Sequence, residues 1–306
     1  MATDFLKRAG RRIRKSLATI RKLDERLDEI RINQGIIFSR LNRDIRSTDL
    51  KDYEFKVFSQ WGDDGIIQQL VRSVEIKNKT FIEFGVEDFF ESNCRFLLMK
   101  DDWNGFVIDG SRDNIARLQQ SYFYRKHHLI VIDAFITREN INALLARSGF
   151  DDDLGLLSID TDGNDYFVLE AIESFRPRIL ILEFNSVFGA ARKISVPCRA
   201  DFQRTQAHHS NLYFGASLGA VTHLAGKKGY TLVGTNSAGV NAFYVRNDLL
   251  DGVHPGLTVE DAYVVSNSRE ARDESGNLAC LAGTARLEAI RGLPVFNVET
   301  ETLEAL

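Results

Sequence analysis

The chain has 306 residues, 44% of them hydrophobic and 27% charged, with only four prolines and three cysteines. That composition fills a real core and excludes a collagen-like, disulfide-stapled or wholly disordered protein. The formal charge is −4, but it is uneven: residues 1–48 hold thirteen Lys/Arg against six Asp/Glu, and the remainder is acidic. An acidic body repels phosphates, so nucleic acid is not an expected partner.

The first 48 residues read as one basic helix. Leu6, Ile13, Ile20, Leu27, Gln34 and Leu41 recur every seventh position, and Leu23, Ile30 and Ile37 fill the second seam. This is the period of a coiled coil. Three uses are open: a homo-oligomeric coil, a cationic helix on an anionic membrane surface, or a helix packed on its own domain. Gly10 and Gly35 weaken the helix locally. With no apolar run of about 20 residues and no signal-peptide core, the expected location is cytoplasmic, with peripheral contact at the inner membrane face an extension of the second use. Cys94, Cys198 and Cys280 form no CxxC and read as reduced thiols.

From residue 49 strand and helix alternate. The predicted strands are 79–84, 105–109, 128–133, 154–160 and 178–184, and the predicted helices 91–101, 111–121, 138–147 and 166–174. The strands are apolar throughout, which predicts a parallel sheet covered on both faces. After an irregular stretch, 185–213, a helix is expected over 214–228 and adjacent strands over 230–235 and 239–246. Five parallel strands and a late hairpin predict an α/β, Rossmann-like class I methyltransferase fold with a mostly parallel seven-stranded sheet. The methyltransferase domain would span 49–250. Residues 251–306 read as a C-terminal extension packed on the core, with a short helix near 284–290.

Five successive strands end in or near an acid: Glu83, Asp109, Asp133, Asp160 and Glu183. Ligands of an open α/β sheet bind at those ends. S-adenosylmethionine suits such a set. Asp109 would accept its ribose hydroxyls, Asp133 its adenine amino group, and nearby acids favour its cationic end. Gly85 would let the turn after the first strand approach the ligand. Against this stand local roles: Asp109 as a cap before Ser111, Asp133 as a loop acid, and Asp162 or Asn164 capping the next helix.

The segments FSQWGDDGII (58–67), FIEFGVEDFFESNCRFLL (81–98), GFVIDGS (105–111), LLSIDTDGNDYFVLEAI (156–172), ILEFN (181–185), YFGASLGAVTHLAGKKGYTLVG (213–234) and GVNAFYVRNDLL (239–250) resemble the FkbM-like S-adenosylmethionine-dependent methyltransferases. The resemblance implies O-methyl transfer to a sugar hydroxyl in a glycan or natural-product pathway. It brings Gln60, Glu83, Gly85, Glu87, Asn93, Asp109, Gly110, Asp133, Ala134 and Asp160 to the cofactor. One departure is Glu87, where the usual acid-x-Gly-x-Gly turn has its second glycine. This feature supports the alternative of a non-catalytic protein that uses the fold as an oligomeric or membrane-surface platform. A nucleotide-sugar dehydrogenase is poorly served, because GVEDFF is not GxGxxG.

Methylating a hydroxyl calls for a base or a metal. Asp160, Asp162 and Glu183 are an oxygen-donor set suited to Mg²⁺ or another divalent cation. Without metal, Asp160 or Asp162 is the candidate base. His209, in the irregular stretch, is a further candidate catalytic residue. Arg192, Lys193, Arg199 and Arg204 share that stretch and would recognise an acidic group on the acceptor or merely solvate the loop.

Overall fold

The computed structural model describes residues 2–251, 254–268 and 270–306, with side chains from Thr19 onward except Arg21. The strands are β1 (Thr80–Phe84), β2 (Asn104–Asp109), β3 (Leu129–Asp133), β4 (Leu156–Ile159), β5 (Ile179–Glu183), β6 (Ile194–Ser195), β7 (Tyr230–Thr235), β8 (Asn241–Arg246), β9 (Pro294–Asn297) and β10 (Thr302–Ala305). Seven of them form one sheet in the order β3-β2-β1-β4-β5-β8-β7. The first five run parallel, and β8 is antiparallel to both neighbours. This is the Rossmann-like class I methyltransferase fold.

Helices α1 (Ala2–Leu41), α2 (Asp63–Ser73), α3 (Arg95–Asp101), α4 (Arg112–Gln120), α5 (Ile141–Leu145), α6 (Asp165–Ala171), α7 (Arg204–Ala207), α8 (Leu218–Lys227), α9 (Val259–Ala262) and α10 (Thr284–Glu288) complete it. The apolar strands bury alternate residues in two separate cores. Ile82, Phe84, Leu180 and Leu182 face α6 and α8. Phe81, Ile179 and Ile181 pack with Ile66, Leu70 and Leu97 of α2 and α3. Both sheet faces are therefore dry, as continuous apolar strands require.

Three helices start later than their sequence suggests, each because a polar side chain holds the preceding turn. The Glu83 carboxylate accepts the backbone N–H groups of Asn93 and Cys94, so α3 begins at Arg95. Asn140 Oδ1 accepts the Thr137 N–H, and α5 begins at Ile141. Ser217 caps α8, while Gly215 O accepts the Val196 N–H.

The heptad side chains of Leu6 and Ile13 lie outside the described residues. From Ile20 onward α1 packs on the domain through the face opposite its heptad seam. Asp28, on that inner face, is buried against Arg95 and Tyr122. The Arg95 guanidinium lies 4.1 Å from the Phe58 ring centre and 4.3 Å from that of Phe123. Gly35 is a docking point: a Cβ there would sit 2.5 Å from Val57 and 2.6 Å from Phe96. Among the described residues no helix is long and apolar enough to cross a membrane.

The C-terminal stretch does more than lie on the core. β9 pairs with β10 and with β6, giving a second, three-stranded antiparallel sheet. Its core holds Phe202, Phe214, Ile290 and Val295. The Tyr263 hydroxyl donates to the Ser186 carbonyl, which ties this layer to the loop after β5.

Candidate active site

A cavity of about 610 Å³ opens beyond the carboxyl ends of β1, β2, β4 and β5. Its walls include Gln60, Glu83, Gly85, Glu87, Asn93, Asp109, Gly110 and Ala134 on one side, and Asp160, Asp162 and Glu183 on the other. Strand register explains the convergence: Phe84 pairs with Ile108 and with Ile159, so the three strand ends are level.

On the β1–β2 side the acids are saturated with internal donors. Glu83 accepts the Ser92 hydroxyl at 2.6 Å and the N–H groups of Asn93 and Cys94 at 2.8 and 3.2 Å. Burial still pushes its carboxyl up, and those hydrogen bonds pull the other way. Asp109 accepts the Glu87 N–H through one oxygen and the Ser111 N–H through the other, both at 2.8 Å. The cap of α4 is Ser111, so Asp109 anchors the β1 turn instead. Gly85 has φ +68°, and a Cβ there would lie 1.6 Å from the Asp160 carbonyl oxygen. No side chain fits between β1 and β4 at that point. Glu87 adopts φ +48°, the left-handed conformation that a glycine takes without strain.

Gln60 and Trp61 reach the cavity on a loop fastened by Asp64. The Asp64 Oδ2 accepts the N–H groups of Val57, Phe58 and Ser59, each at 2.8 Å. The acidic pair at 63–64 therefore does not cap α2; Gly62 occupies that position. The neighbouring Asp63 is buried against Asn236 and Asn241 of the β7–β8 turn, and burial pushes its carboxyl up to about 7.

On the β4–β5 side Asp160 and Glu183 lack such donors. One ligand oxygen each from Asp160, Asp162 and Glu183 lie within 4.8 Å of one another. Asp160 and Glu183 lie beside each other at the ends of β4 and β5, where two carboxylates repel. Burial first, then the neighbouring carboxylates, holds both well above the usual carboxylate range. The Glu183 Oε2 is buried without a partner. Neither Asp162 nor Asn164 closes the turn into α6. Asp165 does, accepting the Thr161 N–H and hydroxyl and the Gly163 N–H. Asp162, at φ +54°, is left to pair with Arg204 at 2.7 Å. The Arg204 guanidinium stacks 3.8 Å from the Phe214 ring centre.

Several sequence expectations are corrected. Asp133 is exposed at the end of β3 and is absent from the cavity wall; Ala134, the next residue, lines it. His209 is exposed, stacked on His208 and away from the cavity, so no geometry supports it as a base here. Arg192, Lys193 and Arg199 are engaged by Glu304, Glu299 and Asp201 outside the cavity, which leaves Arg204 alone of that group in the wall. Asn185 also lines the cavity, and its amide is taken up by the carbonyls of Leu212 and Phe214, to which it donates. The sequence reading missed Ser266, Ser268, Glu270 and Arg286, which close the cavity from the C-terminal layer.

No protein-family model and no curated protein matches the chain. Among solved structures it is similar to the N-terminal domain of EvdMO1 with SAH bound, at 9% identity over 62% of this chain and 81% of that one, with a TM-score of 0.41. A putative caffeoyl-CoA O-methyltransferase from Staphylococcus aureus gives 14% identity, 70% and 91% coverage and 0.41. The CurJ carbon methyltransferase gives 10% identity, 64% and 56% coverage and 0.39. Likeness this distant carries no weight for activity, and the fold rests on the strand order itself.

Proposed function

We propose that the protein is an S-adenosylmethionine-dependent O-methyltransferase of the FkbM-like kind that methylates a sugar hydroxyl. The observation that carries this reading is the division of the cavity. One half is a rigid cradle of internally hydrogen-bonded acids and glycines, and in the other Asp160 and Glu183 receive no donor from the chain. The residues present fit the cofactor. Asp109 and Gly110 line the wall beside the Gly85 turn, and Gln60 and Asn93 offer amides to an amino-acid moiety. The cofactor, when bound, supplies an electrophilic methyl group on a sulfonium.

The chain's own part is to orient the acceptor and take its proton. Asp160 and Glu183 are both held above the usual carboxylate range, and either one, once ionised, accepts the hydroxyl proton during transfer. Arg204 pairs with Asp162 beside them. Ser266, Ser268, Glu270 and Arg286 give the acceptor half a polar rim suited to a hydroxyl-rich ligand. The same three acids have the donor chemistry to hold a divalent cation, which would polarise the hydroxyl. The metal-free route has one observation in its favour: Arg204 already occupies Asp162.

Calorimetric titration with S-adenosylhomocysteine, with and without Mg²⁺, tests the reading. Binding that disappears in Asp109→Ala supports it. Failure of both S-adenosylmethionine and S-adenosylhomocysteine to bind would overturn it in favour of a non-catalytic platform. For the metal, turnover unchanged after exhaustive chelation removes the cation from the scheme.

A further inference from the structure

We infer that α1 pairs with the α1 of a second copy as an antiparallel two-stranded coil with a single favoured register. The inference is independent of the proposed reaction.

The geometry begins with the seam. Ile20, Leu23, Leu27, Ile30, Ile37 and Leu41 are 51–60% exposed, although each is a large aliphatic residue. They fall at the two apolar positions of the heptad, with Gln34 as the polar member. The opposite face is occupied. Glu25 pairs with Lys126, Asp28 with Arg95, Ile32 packs on the Phe55, Phe58 and Phe96 cluster, and Gly35 seats against Val57. The domain thus holds α1 by one side and presents an apolar stripe on the other, interrupted once by Gln34. An exposed stripe of this kind marks an interaction surface.

Charge selects the occupant and its direction. In a parallel pair Arg26 of each copy would face Arg31 of the other, a like-charge contact made twice by symmetry. An antiparallel pair in which Leu27 meets the partner's Ile30 avoids this. Ile20 then meets the partner's Ile37, Leu23 meets the partner's Gln34, and Asp24 flanks the partner's Arg31 on both sides of the two-fold axis. Arg26 faces the partner's Asn33. Sliding by one heptad in either direction brings Arg31 against the partner's Arg31, or Asp24 against the partner's Asp24. The register therefore carries its own specification against its neighbours. Arg31 reaches its own Asp28 at 3.3 Å, and its fork has donors to spare for Asp24 of the second copy.

This register also separates the cationic ends. Residue 41 of one helix lies opposite residue 16 of the other, so Lys7, Arg8, Arg11, Arg12, Arg14 and Lys15 of each copy extend beyond the overlap at opposite ends. The two domains, each on the inner face of its own helix, lie outside the pair.

Sedimentation equilibrium of the full chain tests the inference. The expected mass is twice 34.6 kDa, falling to one chain in Leu27→Asp/Ile30→Asp. Those side chains are exposed, and unchanged circular dichroism will verify that the variant is folded. Orientation is read from charge variants. D24R and R31D should each weaken the dimer about tenfold, and the D24R/R31D double variant should restore it, since the pairs are merely exchanged. A parallel coil gives the opposite sign for R31D, because the introduced carboxylate would then meet Arg26, and a tightened R31D dimer overturns the antiparallel register. A chain that sediments as a monomer at all concentrations overturns pairing altogether. Binding of that monomer to phosphatidylserine vesicles, lost in Leu27→Asp/Ile30→Asp, would assign the stripe to a membrane surface instead.

Discussion

The two halves of the cavity use the same residue type at the same topological place for opposite ends. Glu83 and Asp109 end β1 and β2, and Asp160 and Glu183 end or follow β4 and β5. In the first pair every oxygen receives at least one N–H or O–H from the chain. In the second pair the two acids face each other, and the Glu183 Oε2 is buried with no partner. A buried acid with a full complement of donors is a fastening, whereas one without is poised for chemistry or for a cation.

The largest expected effect tests the unsaturated half. Asp160→Asn and Glu183→Gln should each lower turnover about 10³-fold, within the range of lost proton transfer. S-adenosylhomocysteine affinity should remain within a few fold, because the cofactor cradle is on the other side. Thermal stability should hold or rise, since each change removes a buried like-charge conflict. If either variant lost binding and turnover together, the division of labour would be wrong.

The saturated half should respond in the reverse sense. Glu83→Ala strands the Ser92 hydroxyl and two backbone N–H groups in the interior, at about 1–3 kcal/mol for each unpaired group. A loss of several kcal/mol in denaturant titration is expected, and cofactor affinity falls with it because the 91–94 turn moves. A Glu83→Ala variant of normal stability but no turnover would place Glu83 among the reacting groups instead.

pH separates the halves without mutation. Turnover by the proposed route needs an ionised carboxylate in the Asp160–Glu183 pair. Both carboxyls lie well above the usual range, so the rate should climb with pH across a limb displaced above pH 4–5. Stability moves the other way. A carboxyl raised in the folded state binds its proton more tightly there than in the unfolded chain, so stability is lost as pH rises between the two values. Asp63 gives the clearest window, from the ordinary carboxylate range to about 7. Denaturation measured at pH 4, 5.5 and 7 should show the decline, and Asp63→Asn should flatten it.

The fold was legible because its strands are short, apolar and separated by acids and glycines, which leaves few arrangements other than a parallel sheet. The level strand ends carried Asp109, Asp160 and Glu183 into one cavity, as their positions implied. Asp133 failed because its side chain, at the edge strand β3, turns to solvent while the following alanine faces inward. His209 failed because the irregular stretch after β5 is organised by Asn185, which reaches carbonyls 27 and 29 positions on, and by the β6–β9 pairing about 100 positions apart, contacts that local pattern does not reveal. Arg286 was invisible for the same reason. The heptad of α1 was plain in the sequence. That Gly35 is a seat for the domain, and not a weak point, depended on Val57 and Phe96, which no periodicity connects to it.

The smallest effect concerns Glu87, where the two halves meet. Its N–H belongs to the cradle, donating to Asp109, and its side chain faces the acids of the other half. Partial burial, then Asp88, Asp109 and Asp162, pushes its carboxyl up. Glu87→Gly keeps the N–H and relieves the left-handed strain, so a gain of about 0.5–1 kcal/mol is expected after the entropy of the freer unfolded chain is set against it. Affinities for S-adenosylmethionine and S-adenosylhomocysteine should each change less than about threefold if the residue acts through its backbone. The two ligands differ by the sulfonium charge. A loss confined to S-adenosylmethionine would mean that the Glu87 carboxylate holds that charge, and that the line between fastening and chemistry runs through this residue and not beside it.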